Sequence, residues 1–344
     1  MGRRPLAVSG TLATSHLTEF RGHVGGRTPA APPLPAEEPE VRWDGAAGNL
    51  AYGLGLLGLG PALAGAAGAD FEPYRRHLKS HGVDTGAVRI SATLPTARFT
   101  GTRGRCRSRI TGFHPGAAAE SRHVDLGSVL ARTGRLALMA VTADEPAAML
   151  RHTADCRRLG VPFAAAPGRQ LALLDGAEAR RLVDGARWLF TDERESALLR
   201  ELTGWTAEEL LRRVGCWVTT RGRDGARLRL GRRGGVPGSG VPASPLSGCR
   251  VPGSAVDVPA VPVPGVVDPA GAGDAFRAGF LAGAAWGVGP ERAAQLGCAV
   301  AAAALDYAGT QEYRLYREPL LIRVREAYGT AAAAQLLPFL GALT

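Results

Sequence analysis

Asp268-Pro-Ala-Gly-Ala-Gly-Asp-Ala-Phe-Arg-Ala-Gly-Phe-Leu-Ala-Gly283 marks the point where an extended Pro/Val run gives way to an Ala-rich pattern with helical spacing. Gly271 and Gly273 stand at that transition, which places them in the N-terminal turn of a helix. Such a turn directs unpaired backbone N–H groups outward. With the positive end of the helix dipole they make a site for an anion, above all a phosphoryl group. Asp274 falls in the first helical turn beside that anion. A carboxylate repels a bound anion, so its presence points to another task, taking a proton from a hydroxyl that attacks phosphorus. The competing reading is a loop with an acidic N-cap, and these residues alone do not separate the two.

Outward from this stretch, composition sets the scale. The chain has 344 residues, 45% of them apolar, enough to bury a large core in one big α/β domain or two smaller ones. No apolar run reaches the ~18–20 residues of a membrane span and no signal-peptide core is visible, so the expectation is a soluble, cytoplasmic protein. Cys106, Cys156, Cys216, Cys249 and Cys298 are widely spaced and form no CxxC pair, which reads as free thiols without a zinc site. The net charge is +10, yet Lys79 is the only lysine. No aromatic-interleaved basic stripe or helix-turn-helix pattern accompanies the arginines, so neither nucleic acid nor membrane is an expected partner. The six arginines from Arg221 to Arg233 read as a solvated surface. Because no Gly-Lys occurs, a P-loop is excluded. Phosphoryl transfer here would rest on backbone N–H groups, arginine and a metal.

Residues 5–10 read as a buried strand opening into residues 11–17, at the carboxyl end of a first strand, where α/β folds place ligand contacts. Residues 21–40, rich in Gly, Pro and Glu, read as a loop or flap. Gly53-Leu-Gly-Leu-Leu-Gly58 is formally GxGxxG, but a Gly/Ala loop and not a strand precedes it, so a dinucleotide site is rejected. Further strands are expected at residues 95–112, 135–141, 161–165, 186–190 and 216–220, and helices at 145–159, 171–183, 193–202, 290–307 and 319–340. Residues 231–264 read as edge strands with a loose insertion. Strands alternating with helices of ~10–15 residues predict a three-layer α/β fold, a mainly parallel sheet flanked by helices.

Asp268-Pro-Ala-Gly-Ala-Gly-Asp-Ala-Phe276 closely resembles the C-terminal signature of the ribokinase-like, PfkB-type carbohydrate and nucleoside kinases, D-[TP]-x-G-[AV]-G-D-x-F. Gly48-Asn49-Leu-Ala51, followed by Leu57-Gly58 and Gly65-Ala-Ala-Gly-Ala-Asp70, resembles the N-terminal signature of the same family, and Asn49 is the only asparagine in the chain. Within the family the chain is most similar to bacterial adenosine kinases of the actinobacterial type, over about residues 6–334. That likeness rests on stretches such as Ala7-Val-Ser-Gly-Thr-Leu-Ala-Thr-Ser-His-Leu17, Thr96-Ala-Arg-Phe-Thr100, Phe113-His-Pro-Gly-Ala117 and Gly309-Thr-Gln-Glu312.

The resemblance implies a single ribokinase-like domain over residues 1–344, with a small β lid inserted at about residues 12–44 and 95–113. It implies ATP as phosphoryl donor, Mg2+ as cofactor and the hydroxymethyl group of a nucleoside or sugar as acceptor, adenosine foremost, in purine salvage. A homodimer is compatible with it. Asp274 would be the base, with Gly271, Ala272 and Gly273 stabilising the transferring phosphoryl group. Thr11, Ser15, Gly45, Asn49, Phe99, Phe113 and Gln170 would bind the acceptor, the two phenylalanines sandwiching its base and Gln170 at its edge. Thr220, Gly222 and Gly225 would bind the nucleotide, and Glu195 and Asp192 would serve magnesium through water.

The chain departs from the family pattern on the acceptor side. Ser15 stands where the family has an aspartate gripping the ribose hydroxyls. Asp44 stands where it has the first of two glycines, and its carboxylate is expected to obstruct the ribose. Asp192 replaces an asparagine, Ala166 an aspartate and Leu173 an arginine. The alternatives are a PfkB-type kinase for another sugar or nucleoside, or a nucleoside-binding paralogue with impaired turnover. His77 and His81, spaced i, i+4, have no third ligand nearby in sequence and read as a surface helix.

Overall fold

The structure, a computed structural model, describes residues 5–18, 38–103, 108–231 and 254–343. In chain order its strands are β1 (Leu6–Ser9), β2 (Ala13–Thr18), β3 (Glu40–Asp44), β4 (Ala62–Ala67), β5 (Asp84–Ile90), β6 (Ala97–Arg103) and β7 (Ser108–His114). They continue with β8 (Leu138–Thr142), β9 (Phe163–Ala166), β10 (Trp188–Asp192), β11 (Cys216–Thr220), β12 (Ala226–Leu230) and β13 (Ala255–Val258). The helices are α1 (Ala46–Leu56), α2 (Glu72–Ser80), α3 (Leu126–Thr133), α4 (Pro146–Arg158), α5 (Gly176–Val183) and α6 (Glu193–Thr203). After them come α7 (Ala207–Arg213), α8 (Ala272–Trp286), α9 (Pro290–Ala304), α10 (Arg317–Tyr328) and α11 (Thr330–Leu336).

Among the described residues the strands form two sheets, a nine-stranded one in the order β13-β12-β11-β10-β9-β8-β1-β4-β5 and a four-stranded one in the order β3-β2-β6-β7. The large sheet is parallel from β5 to β11, and β12 and β13 join antiparallel at one edge. β1, β4, β8 and β9 are buried at every position, as expected of strands covered by helices on both faces. Alternate residues serve two cores. Leu6 and Val8 join Leu54, Phe280 and Leu296 of α1, α8 and α9, while Ala7 joins Met149, Leu182 and Leu199 of α4, α5 and α6. Phe280, fully buried, meets Trp188 and Phe190 edge-on with centroids 5.0 and 5.2 Å apart. Truncation to alanine there costs about 3–5 kcal/mol. α8 and α9 cross closely because both crossing points are glycine. A Cβ on Gly279 would lie 2.8 Å from the Cα of Gly297.

This is the expected three-layer α/β fold, with local differences that have identifiable causes. The helix expected at residues 171–183 is a 3-10 turn, Gly168–Leu173, followed by α5, because Asp175 and Glu178 form a reciprocal capping box that starts a new helix. The helix expected at residues 319–340 is divided at Gly329, φ 88°, into α10 and α11. β12 is a strand inside the arginine-rich stretch read as solvated surface. Its leucines are buried, Arg227 pairs with Asp257 at 2.8 Å, and Arg229 lies over Trp217. Most of the loop read at residues 21–40 and of the insertion read at 231–264 lies outside the described residues. Cys156 and Cys298 are buried free thiols. No helix among the described residues is long and apolar enough to cross a membrane.

Candidate active site

α8 begins at Gly271, which holds the left-handed conformation (φ 75°) that glycine adopts without strain, and no side chain caps this end. Asp268 locks the turn in place. Its Oδ1 accepts from the Ala270 N–H at 3.0 Å and its Oδ2 from the Gly309 N–H at 3.1 Å, tying the turn to the segment that carries Thr310 and Gln311. Gly273 is exposed, and among the described residues a Cβ placed there would meet only Arg277, at 3.9 Å. The helix N-terminus therefore opens onto free space suited to an anion.

Asp274 is the third residue of α8, in its first turn, with its side chain 14% exposed. Arg277 Nη1 donates to its Oδ1 at 2.7 Å and Asn49 Nδ2 to its Oδ2 at 3.1 Å. Burial pushes its proton affinity above the ordinary carboxylate range; Arg277 and the Asn49 bond oppose that shift and the charge of Asp44 adds to it. A carboxyl so tuned is a stronger base than a solvated aspartate.

Asn49 comes from α1, whose start at Gly45 (φ 104°) brings the backbone so close to β2 that a Cβ would fall 2.4 Å from the Thr11 carbonyl oxygen. Its amide is 4% exposed and its orientation is fixed by Gln311, whose Nε2 donates to Asn49 Oδ1 at 2.9 Å and to the Tyr74 hydroxyl. Tyr74 in turn donates to the carbonyl of Asp44 at 3.0 Å. Asn49 Nδ2 is thereby aimed at two carboxylates, Asp274 and Asp44, the latter at 3.0 Å. Asp44 Oδ1 also accepts from the Gly45 N–H at 2.7 Å, and Asp44 Oδ2 accepts from Ser15 Oγ at 2.5 Å.

Ser15 lies on the buried face of β2, in register with Phe99 of β6, and Phe99 is in register with Phe113 of β7. The two rings touch, with centroids 4.8 Å apart and planes tilted by 30°. A base held between two rings needs about 7 Å, twice the van der Waals stacking distance. The sandwich expected from sequence is therefore closed as it stands, and the pair presents a continuous aromatic surface instead. Thr11 uses its hydroxyl within the fold, donating to the Ala143 carbonyl at 2.9 Å. Gln170 lies in the 3-10 turn after β9. Thr220 ends β11, and Gly222 and Gly225, at φ 55° and 82°, shape the turn into β12.

Asp192 and Glu195 form the capping box of α6. Asp192 Oδ1 accepts from the Glu195 N–H at 2.7 Å, and Glu195 Oε2 from the Asp192 N–H at 2.9 Å. Asp192 thus spends one carboxylate oxygen on the helix cap. Glu195 keeps its second oxygen available, and burial raises its proton affinity against the nearby charge of Arg277. Among the described residues no three His, Cys, Asp or Glu side chains converge on a metal position. His77 and His81 lie 4.7 Å apart at their centroids, and His77 stacks on Tyr52 at 5.5 Å. Burial lowers the His77 pKa to about 4, so this half-buried histidine packs as a neutral ring on α2, a helix whose Glu72, Arg76 and Lys79 are exposed. Sequence reading missed Arg277, three residues after Asp274 in the quoted stretch, and Gln311, inside the quoted Gly309-Thr-Gln-Glu312. It also missed Asp144, a buried carboxyl after β8 whose pKa burial raises to about 7.

A basic carboxylate at an open helix N-terminus, between a doubly covered parallel sheet and a small second sheet, defines a phosphotransferase acting on a hydroxyl. The pfkB family carbohydrate kinase pattern matches residues 27–315, and the chain belongs to that family. It is 26% identical over 276 residues to a nucleoside kinase of Methanothermobacter thermautotrophicus, covering 78% of this chain and 79% of that one. The structure of Burkholderia thailandensis nucleoside kinase in complex with inosine superposes with a TM-score of 0.79 at 28% identity, covering 94% of this chain and 99% of that one. Ribokinase from Thermotoga maritima, at 19% identity, shares the fold with a TM-score of 0.71 over 93% of this chain and 99% of its own.

Proposed function

We propose that this chain is an ATP-dependent nucleoside kinase that phosphorylates the 5′-hydroxyl of a purine ribonucleoside, with adenosine and inosine as the leading acceptors. The observation that carries the reading is Asp274, a buried carboxylate at the uncapped start of α8, linked through Asn49 to the acceptor-side residues Asp44 and Ser15. Adenosine comes from the sequence resemblance, and inosine from the acceptor named for the B. thailandensis structure.

In the proposed reaction the acceptor hydroxyl donates to Asp274, which takes its proton as the new O–P bond forms and the bond from the γ-phosphorus to the leaving ADP oxygen breaks. Backbone N–H groups at Gly271, Ala272 and Gly273 hold the transferring group's oxygens. Asn49 and Arg277 fix the carboxylate against rotation. The turn from Thr220 to Gly225 takes part in holding the nucleotide. Mg2+ brought in with the nucleotide would neutralise phosphate charge, and Glu195 and Asp192, each with one oxygen outside the capping box, would support it through water.

The test is ADP release from Mg-ATP with adenosine, inosine or free ribose as acceptor. Rapid turnover of a nucleoside, with ribose at least about 100-fold slower in kcat/KM, supports the assignment. Preference for ribose would make the chain a sugar kinase, and nucleoside binding without ADP release would make it a binding paralogue.

A further inference from the structure

We propose that Asp44 and Ser15 together form a clamp for two vicinal hydroxyls of the acceptor sugar, Asp44 Oδ2 accepting from one and Ser15 Oγ from the other. The inference rests on the nucleoside-kinase reading and assigns Asp44 a role opposite to the obstruction expected from sequence.

The two oxygens of Asp44 are in different situations. Oδ1 is filled from within the protein, by the Gly45 N–H at 2.7 Å and Asn49 Nδ2 at 3.0 Å, with Thr310 Oγ1 at 3.5 Å. Those donors fix the carboxylate plane. Among the described residues Oδ2 has one donor, Ser15 Oγ, which leaves it a second acceptor position. Ser15 is 5% exposed and its only proton is committed to Asp44, so its oxygen can make a further bond only as an acceptor. The pair therefore presents two acceptor oxygens at hydrogen-bond distance from each other, close to the separation of hydroxyl oxygens on neighbouring carbons. It selects donors and repels phosphates and carboxylates.

The position fits the same chemistry. Asn49 Nδ2 bridges Asp44 Oδ1 and Asp274 Oδ2, so the carboxylate that carries the clamp is one donor away from the base. A ribofuranoside carries its vicinal diol and its primary hydroxyl on adjoining ring carbons, and so can engage both ends together. Beside the clamp, β2 pairs in register with β6, where Phe99 and Phe113 offer a flat apolar surface to the rest of the nucleoside.

Calorimetry with inosine and 2′,3′-dideoxyinosine on the wild type, Asp44→Asn and Ser15→Ala tests the assignment. Hydrogen bonds to a half-buried charge predict that Asp44→Asn weakens inosine binding by about 10- to 150-fold, and Ser15→Ala by less. Dideoxyinosine binding should change by less than about 3-fold in either variant, and this control also reports that the site is folded. Asp44→Asn binding inosine as tightly as wild type, or more tightly, would overturn the clamp and restore the obstruction. An equal loss for the dideoxy compound would overturn it in favour of a purely structural role. A wild type that binds neither inosine nor adenosine would sink the nucleoside-kinase reading and the clamp with it.

Discussion

Asp44 and Asp274 share a single donor: Asn49 Nδ2 lies 3.0 Å from Oδ1 of the first and 3.1 Å from Oδ2 of the second. The two residues are far apart in sequence and belong to different ends of the proposed reaction, one to the acceptor's sugar and one to its reactive hydroxyl. One buried amide keeps two carboxylates close without direct contact, and the charge of Asp44 raises the cost of ionising Asp274. Reactivity and specificity are thereby coupled through one side chain.

The first prediction concerns the base. Asp274→Asn should lower kcat by at least about 100-fold with nucleotide affinity nearly unchanged, as for loss of a general base. Because the Asp274 pKa is raised, kcat/KM should fall with decreasing pH at a point above the ordinary carboxylate range. Arg277 lowers that pKa and Asp44 raises it, so Arg277→Gln should move the acid limb upward and Asp44→Asn downward. A limb that both substitutions leave in place would assign it to another group.

Gln311 is a positioning residue, since it reaches the reaction through Asn49. Gln311→Leu leaves Asn49 Oδ1 without its donor and frees the amide to turn. A fall in kcat of about 10-fold or more is expected, with an acid limb shifted because Asp274 loses a fixed hydrogen bond. A change confined to thermal stability, with an unaltered pH profile, would reduce Gln311 to a packing role.

Much of this was legible in the sequence. The glycine turn and Asp274 were readable because an anion site at a helix N-terminus depends on local backbone chemistry carried by adjacent residues. The parallel sheet was readable because strands buried on both faces are continuously apolar. What was not legible depends on pairing across space. Ser15 meets Asp44 only because β2 lies against β3, a pairing that the residue types do not encode. Phe99 and Phe113 were paired correctly as neighbours, but their separation is set by strand register and not by residue type. The Asp-x-x-Glu spacing of Asp192 and Glu195 also encodes the capping box they form, a local signal that was legible but not read.

Asp144 should dominate one part of the stability profile. Its pKa is about 7 in the fold against 3.8 for a free aspartate, raised by burial, so between those values the native state holds a proton that the unfolded chain releases. Stability should therefore fall as pH rises from about 4 to about 7. Asp144→Asn, neutral throughout, should flatten that slope, as read from denaturant midpoints at pH 5 and 8. An identical slope in both proteins would show that Asp144 ionises as easily in the fold as in the unfolded chain.

The last prediction exchanges the two acceptor-side residues. Ser15→Asp alone sets a second carboxylate against Asp44, where both cannot ionise cheaply, and inosine binding should weaken. Asp44→Gly alone removes the only carboxylate from the clamp and leaves Ser15 Oγ without its acceptor, so binding should weaken again, by about 10- to 150-fold. In the double variant the carboxylate sits on β2 and the crowding on β3 is gone. Its affinity should return towards that of the wild type, far above the sum of the two losses, because contacting residues are not additive. Calorimetric titration of inosine into all four proteins measures the coupling directly. Strictly additive losses would mean that Ser15 and Asp44 serve the acceptor independently. A double variant much tighter than wild type would mean that Asp44 obstructs the sugar.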